Sequence, residues 1–146
     1  MGEILLEGTK ILKALAANIS DLKSLPANVM SQAGSIVEAN FSFNSIEGDS
    51  LDALQPFRHL QTLVLDNNSL TSLATLPPLP ELTTLWLNNN NLEQLEDVIG
   101  ILSRQCPKLQ YLSLLRNPCC PNELTGKGEN EYRMYRLRVL YRIPTL

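Results

Sequence analysis

The stretch Leu60-Gln61-Thr62-Leu63-Val64-Leu65-Asp66-Asn67-Asn68-Ser69-Leu70 decides the reading of the chain, because its spacing returns twice. Leu82, Leu85, Leu87, Asn90 and Leu92 repeat it. Leu109, Leu112, Leu114 and Asn117 repeat it again, with Pro118 at the close. The central Leu-x-Leu has the period of a strand, so both leucines point to one side and the residue between them to the other. One unit cannot bury its own leucines, but several in succession stack into a parallel ladder. The asparagine turns its amide back onto main-chain groups left unpaired where the strand ends, which makes an internal polar ladder.

This is the leucine-rich repeat pattern, LxxLxLxxN followed by a further apolar position. Working outward from it, Ile36, Ala39, Phe41, Asn44 and Ile46 form another unit, with Phe41 in a leucine place. Successive units step by 24 residues to Leu60, 22 to Leu82 and 27 to Leu109. The segments between strands differ. Asp49 to Leu54 predicts a short helical turn capped by Asp49 or Ser50. Pro77, Pro78 and Pro80 exclude a helix interior, so Thr75 to Pro80 is extended or 3₁₀-like, with Leu76 and Leu79 facing the core. Leu95, Val98, Ile99 and Leu102 recur at helical spacing, with Glu96 and Asp97 early and Arg104 late, which predicts an α-helix ended by Pro107.

Residues 1–35 leave two readings open. Leu12, Leu15, Ala17, Ser20 and Leu22 fit a degenerate repeat, whereas Ile11, Leu15, Ile19 and Leu22 fit a helix. Either covers the first strand's open edge. Residues 26–35 read as a loop, residues 121–131 as a mobile loop, and residues 131–142 as a helix with Tyr132, Tyr135, Val139 and Leu140 on one face and the arginines on another. The expected fold is therefore α/β. It is a leucine-rich repeat solenoid with a short curved parallel β-sheet, a 3₁₀, extended and helical convex side and a C-terminal helical cap. Its expected parts are an N-terminal cap or degenerate repeat at 1–35, the repeats at 36–118, and a loop with the cap at 119–146.

The chain has 146 residues, one domain by size, and a net charge of −3, which argues against a general nucleic-acid binder. Residues 1–131 hold eight basic against fifteen acidic side chains, a balance of −7, while 132–146 hold four arginines and no acid, +4. No apolar run approaches the ~20 residues of a membrane span, and the start of the chain reads neither as a secretory signal nor as a myristoylation site. Three cysteines, two of them adjacent, do not make the paired caps of a secreted repeat protein. The expected location is intracellular, in cytoplasm or nucleus.

The run Tyr132-Arg133-Met134-Tyr135-Arg136-Leu137-Arg138-Val139-Leu140-Tyr141-Arg142-Ile143-Pro144-Thr145-Leu146, set after Asn117-Pro118 and a variable loop, resembles the cap of a group of intracellular leucine-rich proteins. That group includes a regulatory subunit of protein phosphatase 1 and a spliceosomal subunit. Leu112-Ser113-Leu114-Leu115-Arg116-Asn117 with Cys120-Pro121-Asn122-Glu123-Leu124 is most similar to the melanocyte differentiation-associated members. In the group the cap motif runs a few residues further, to a Leu-Asp pair, than this chain does. The resemblance implies a non-enzymatic adaptor that holds another protein.

Catalytic chemistry finds little support. His59 is the lone histidine and reads as a loop or edge residue; Cys106, Cys119 and Cys120 lack metal-ligand spacing; no phosphate loop or catalytic triad is present. No cofactor or metal is expected. Binding is better supported, because the residues between the leucines line the concave face. Those singled out are Glu38, Asn40, Thr62, Val64, Asp66, Thr84, Trp86, Asn88, Tyr111, Ser113 and Leu115. Trp86, the only tryptophan, stands where the strand points outward. It either anchors a protein partner, a helix or loop laid across Val64, Trp86 and Tyr111, or lies flat against the ladder and shields it. Glu38 and Asp66 favour a basic partner on one flank. The alternative function is binding of nucleic acid or an anionic membrane through Arg133, Arg136, Arg138 and Arg142. The chain is expected to be a monomer by itself.

Overall fold

The computed structural model describes residues 2–121 and 128–146. Among these described residues six three-residue strands form one sheet in chain order: β1 (Leu5–Glu7), β2 (Ile11–Lys13), β3 (Glu38–Asn40), β4 (Thr62–Val64), β5 (Thr84–Trp86) and β6 (Tyr111–Ser113). β1 runs antiparallel to β2 and all later pairs are parallel. The register stacks Leu12, Ala39, Leu63, Leu85 and Leu112 in a single column. The first four are at most 1 % exposed. At about 1.5–3 kcal/mol per fully buried leucine, this column and its neighbours outweigh every surface ion pair in the molecule.

The polar ladder lies beside the column. Asn68 accepts the Ile46 N–H at 3.0 Å and donates to the carbonyls of Phe41 and Leu65, each at 3.0 Å. Asn90 accepts the Leu70 N–H at 3.1 Å and donates to Leu65 and Leu87 at 3.0 and 3.1 Å. Asn117 does the same for Leu92, Leu87 and Leu114. Each amide therefore joins two successive repeats. The residue just before it turns left-handed in every unit, as Phe43, Asn67, Asn89 and Arg116 show with φ between 55° and 59°. Asparagine tolerates that conformation better than most side chains do.

On the convex side the sequence reading holds for the longer elements. Leu76 and Leu79 are buried within a non-helical stretch, and helix α2 (Leu95–Gln105) ends just before Pro107. The 3₁₀ helix is Gly48–Leu54, but neither Asp49 nor Ser50 caps it: Glu47 occupies that place, and the Ser50 hydroxyl donates to the Glu47 carbonyl at 3.0 Å. Residues 26–35 are not simply loop, since Ala27–Met30 form a short helix (α1) and Ala33–Ser35 a 3₁₀ turn. The last repeat closes on buried Cys119, not on exposed Pro118. Proline has no N–H, and the Cys119 N–H makes the inter-repeat bond to the Leu92 carbonyl at 2.9 Å.

The N-terminal segment is a strand hairpin. Glu7 and Lys10 flank Gly8 and Thr9, whose φ values of 57° and 60° give a two-residue turn of the kind that matches strand twist. β2 is in repeat register, but Leu12 sits opposite Ala39 and so fills the second apolar slot, three residues from the register that starts a repeat at Leu12. The helical alternative over residues 11–22 does not form. At the other end, helix α3 (Glu129–Arg142) packs on α2 and buries Val139, while Tyr132 and Tyr135 are half-buried. Leu140, expected on that same inner face, is exposed. The expected mobile loop at 121–131 lies partly outside the described residues, at 122–127, and its last three residues belong to α3.

Candidate functional site

The sheet's concave face is built by alternation alone. Position three of each strand aligns Glu38, Thr62, Thr84 and Tyr111, and position five aligns Asn40, Val64, Trp86 and Ser113. With strands about 4.8 Å apart, neighbours in a row touch. Trp86 is 45 % exposed and Tyr111 66 % exposed, while Val64 beside Trp86 is half-buried. Trp86 is therefore not enclosed. Leu115 and Phe43, in the turns at the strand ends, are also exposed apolar side chains.

Not every residue singled out from the sequence is free to meet a partner. Asp66 Oδ1 accepts the Asn88 N–H at 2.7 Å, and Asn88 Oδ1 in turn accepts the Ser113 hydroxyl at 2.5 Å and the Leu115 N–H at 2.9 Å. Asn40 Oδ1 accepts both the N–H and the hydroxyl of Ser42, at 3.0 and 2.7 Å. Asp66 and Asn88 thereby brace the turns from repeat to repeat, and Asn40 braces the turn of its own repeat. Glu38, Thr62, Val64, Thr84, Trp86, Tyr111 and the Leu115 side chain make no such brace among the described side-chain bonds.

The face also extends one strand further than the sequence indicated. β2 adds Ile11 beside Glu38 and Lys13 beside Asn40, and a depression of about 340 Å³ runs over β2, β3 and β4, lined by Ile11, Lys13, Leu15, Glu38, Asn40 and Val64. Lys13 is paired with Glu7 at 2.9 Å, so this flank keeps the charge of Glu38 and Asp66. The Gly8-Thr9 turn was the signal that reveals this strand, since a Gly-containing pair between two short apolar segments predicts a hairpin.

On the cap, Arg138 and Arg142 both reach the Glu96 carboxylate of α2, the second at 3.4 Å. Two of the four arginines are thereby engaged within the fold. The thiols are buried and free of disulfide bonds. Burial pushes Cys106 up to about 12 and Cys119 up to about 11, and it raises Cys120 against the lowering effect of its bond to Tyr135. Tyr135 is raised as well, by burial first and by the neighbouring thiols second. Thiols held neutral are poor nucleophiles and poor metal ligands. Among the described residues no cluster of three metal-ligating side chains occurs, and no helix is long and apolar enough to cross a membrane.

A pH dependence follows from these buried thiols. Above the ordinary value of 9 the unfolded chain releases its thiol protons while the folded chain holds them, so the unfolded state is favoured as pH rises. Cys106 alone contributes roughly 1.4 kcal/mol of lost stability per pH unit between 9 and about 12. Urea midpoints at pH 8 and pH 10.5 are expected to fall further for the wild type than for Cys106→Ala. Equal falls would show that this thiol ionises as freely in the folded chain as in the unfolded one.

Comparison with known proteins agrees with this geometry. A leucine-rich repeat family model matches residues 9–146. The human leucine-rich melanocyte differentiation-associated protein is 48 % identical over 99 residues, which cover 66 % of this chain and 50 % of that protein. The chain thus spans about half the length of this relative, and the resemblance to the melanocyte differentiation-associated members holds. Among solved structures, a chain in the crystal structure of the Drosophila melanogaster SNF/U2A' complex superposes with a TM-score of 0.67 at 22 % identity, over 99 % of this chain and 75 % of that one, which shows a shared fold. With the repeat spacing, the asparagine ladder and the family match over residues 9–146 in agreement, this chain belongs to the leucine-rich repeat family.

Proposed function

We propose that the chain is a non-enzymatic adaptor that binds a protein element on the concave face of its sheet, with Trp86 as the anchor. The observation that carries this reading is the indole's exposure on the outward row, between aliphatic Val64 and small Ser113. An exposed aromatic with a polar rim is the usual composition of a binding hot spot, and nothing in the fold requires tryptophan at an outward position. Val64 and Tyr111 extend the apolar contact on either side, and Glu38 and Asp66 make a basic residue favourable on the β3–β4 flank. The structural neighbour solved as the SNF/U2A' complex supports the coarser part of this reading, a protein-binding role.

Affinity capture from cell lysate at two salt concentrations tests it. A protein retained at about 0.5 M salt supports an aromatic-centred contact, because screening leaves apolar burial intact. Recovery of nucleic acid that washes off steeply with salt would instead favour phosphate binding by the cap arginines.

A further inference from the structure

The column that seals the sheet is left open at one end. Leu12, Ala39, Leu63 and Leu85 are each covered by a following strand, whereas Leu112 on β6 is only partly buried and no seventh strand stands beyond it among the described residues. Backbone alternation fixes what this edge offers. The Tyr111 N–H bonds to the Thr83 carbonyl at 2.9 Å and the Ser113 carbonyl accepts the Leu87 N–H at 2.9 Å, so both residues direct their ladder groups toward β5. Leu112 lies between them, and its N–H and C=O therefore face outward.

Beside this edge runs a groove of about 350 Å³ between β6 and α3, lined by Leu112, Leu115, Tyr132, Arg136, Leu140 and Leu146. Leu140 is exposed into it, which accounts for an apolar residue on the outer side of the cap helix. Arg136 differs from Arg138 and Arg142 in having no carboxylate within ion-pair distance among the described residues. An open ladder, an apolar floor and a guanidinium without an ion-pair partner among the described residues together define one kind of occupant.

We propose that this edge binds an acidic segment of another protein as a seventh strand, with an apolar side chain on Leu112 and a carboxylate on Arg136. Main-chain bonds supply affinity in such strand addition and the flanking side chains select the sequence. A second copy of this chain is a poor occupant, because its β6 strand, Tyr111–Ser113, carries no carboxylate to set against Arg136. The site goes beyond the concave-face reading and does not depend on it, although Tyr111 and Leu115 border both surfaces.

The test titrates isotope-labelled protein with the synthetic peptide acetyl-Ser-Val-Glu-Val-Glu-Val-Ser-amide and with the same peptide carrying Lys for Glu. The acidic peptide is expected to shift the Leu112 and Leu114 amide signals, and Arg136→Glu, a change at an exposed position, is expected to weaken it about tenfold or more. The Lys peptide is expected not to bind, and Trp86→Ala to leave the acidic peptide's affinity unchanged. Absence of shifts at Leu112, equal affinity for Arg136→Glu, or dimerisation of the free protein through the same amides would each overturn the proposal.

Discussion

Asn90→Ala is expected to lower the unfolding free energy by about 3 kcal/mol, a loss the equivalent ladder residues Asn68 and Asn117 share. Asn90 is 5 % exposed, and its amide satisfies the Leu70 N–H and the Leu65 and Leu87 carbonyls at once. Alanine leaves the Leu70 N–H without a partner in a place that water does not reach, and reduces the Leu65 and Leu87 carbonyls to one donor each, from Asn68 and Asn117. A buried group left unsatisfied costs about 1–3 kcal/mol, and each of the two further bonds lost adds about 0.5–1.5 kcal/mol, less what relaxation recovers. In a chain of this size the change corresponds to a fall in melting temperature of roughly 10 °C. Because a solenoid holds together through nearest-neighbour contacts, a lesion between the units at Leu60 and Leu82 also weakens the coupling of the two halves. Thermal and urea unfolding of Asn90→Ala beside Glu93→Ala, an exposed control, checks this. A loss below about 1 kcal/mol would mean that the ladder contributes shape but little stability.

The asparagine ladder was legible in the sequence because few side chains both accept one main-chain N–H and donate to two carbonyls across a turn. The strands were legible for a related reason: alternation has a period of two, so once Leu63 and Leu65 face inward, Val64 must face outward, and Trp86 follows. The same logic failed near the N-terminus. Leu12 and Leu15 lie three residues apart, as the first two apolar slots of a repeat do, so either fits the second slot and only strand pairing decides between them. Leu15 proves to be partly exposed while Leu12 is fully buried. The hydrogen bonds that tie Asp66, Asn88 and Leu115 together were not legible, because they depend on side-chain rotamers in three successive repeats. Nor were the pairs from Arg138 and Arg142 to Glu96, which join residues more than forty positions apart. Patterns of spacing reveal which way a residue points, whereas contacts between distant units decide whether its polar atoms are still available.

Trp86→Ala is expected to remove binding of the protein partner while leaving the fold nearly intact. The indole is 45 % exposed and lies on the face opposite the leucine column, so its loss opens no cavity in the core. The stability change should stay within about 1 kcal/mol, the ordinary range for a substitution away from core packing and caps. Binding responds differently, because a central aromatic in an interface contributes about 2–4 kcal/mol on truncation, equivalent to roughly thirtyfold to almost a thousandfold in Kd. Separate measurement of the two effects distinguishes an anchor from a shield. If Trp86 instead lay against the ladder to protect its hydrogen bonds, alanine would admit water to β4 and β6, the melting temperature would fall and partner affinity would change only through unfolding. Wild type and Trp86→Ala, compared side by side by thermal unfolding and by capture of the partner from lysate, give opposite patterns under the two accounts. Undiminished capture by the variant would remove the indole from the interface. The search for the contact would then turn to Phe43 and Leu115, the exposed apolar side chains at the strand ends.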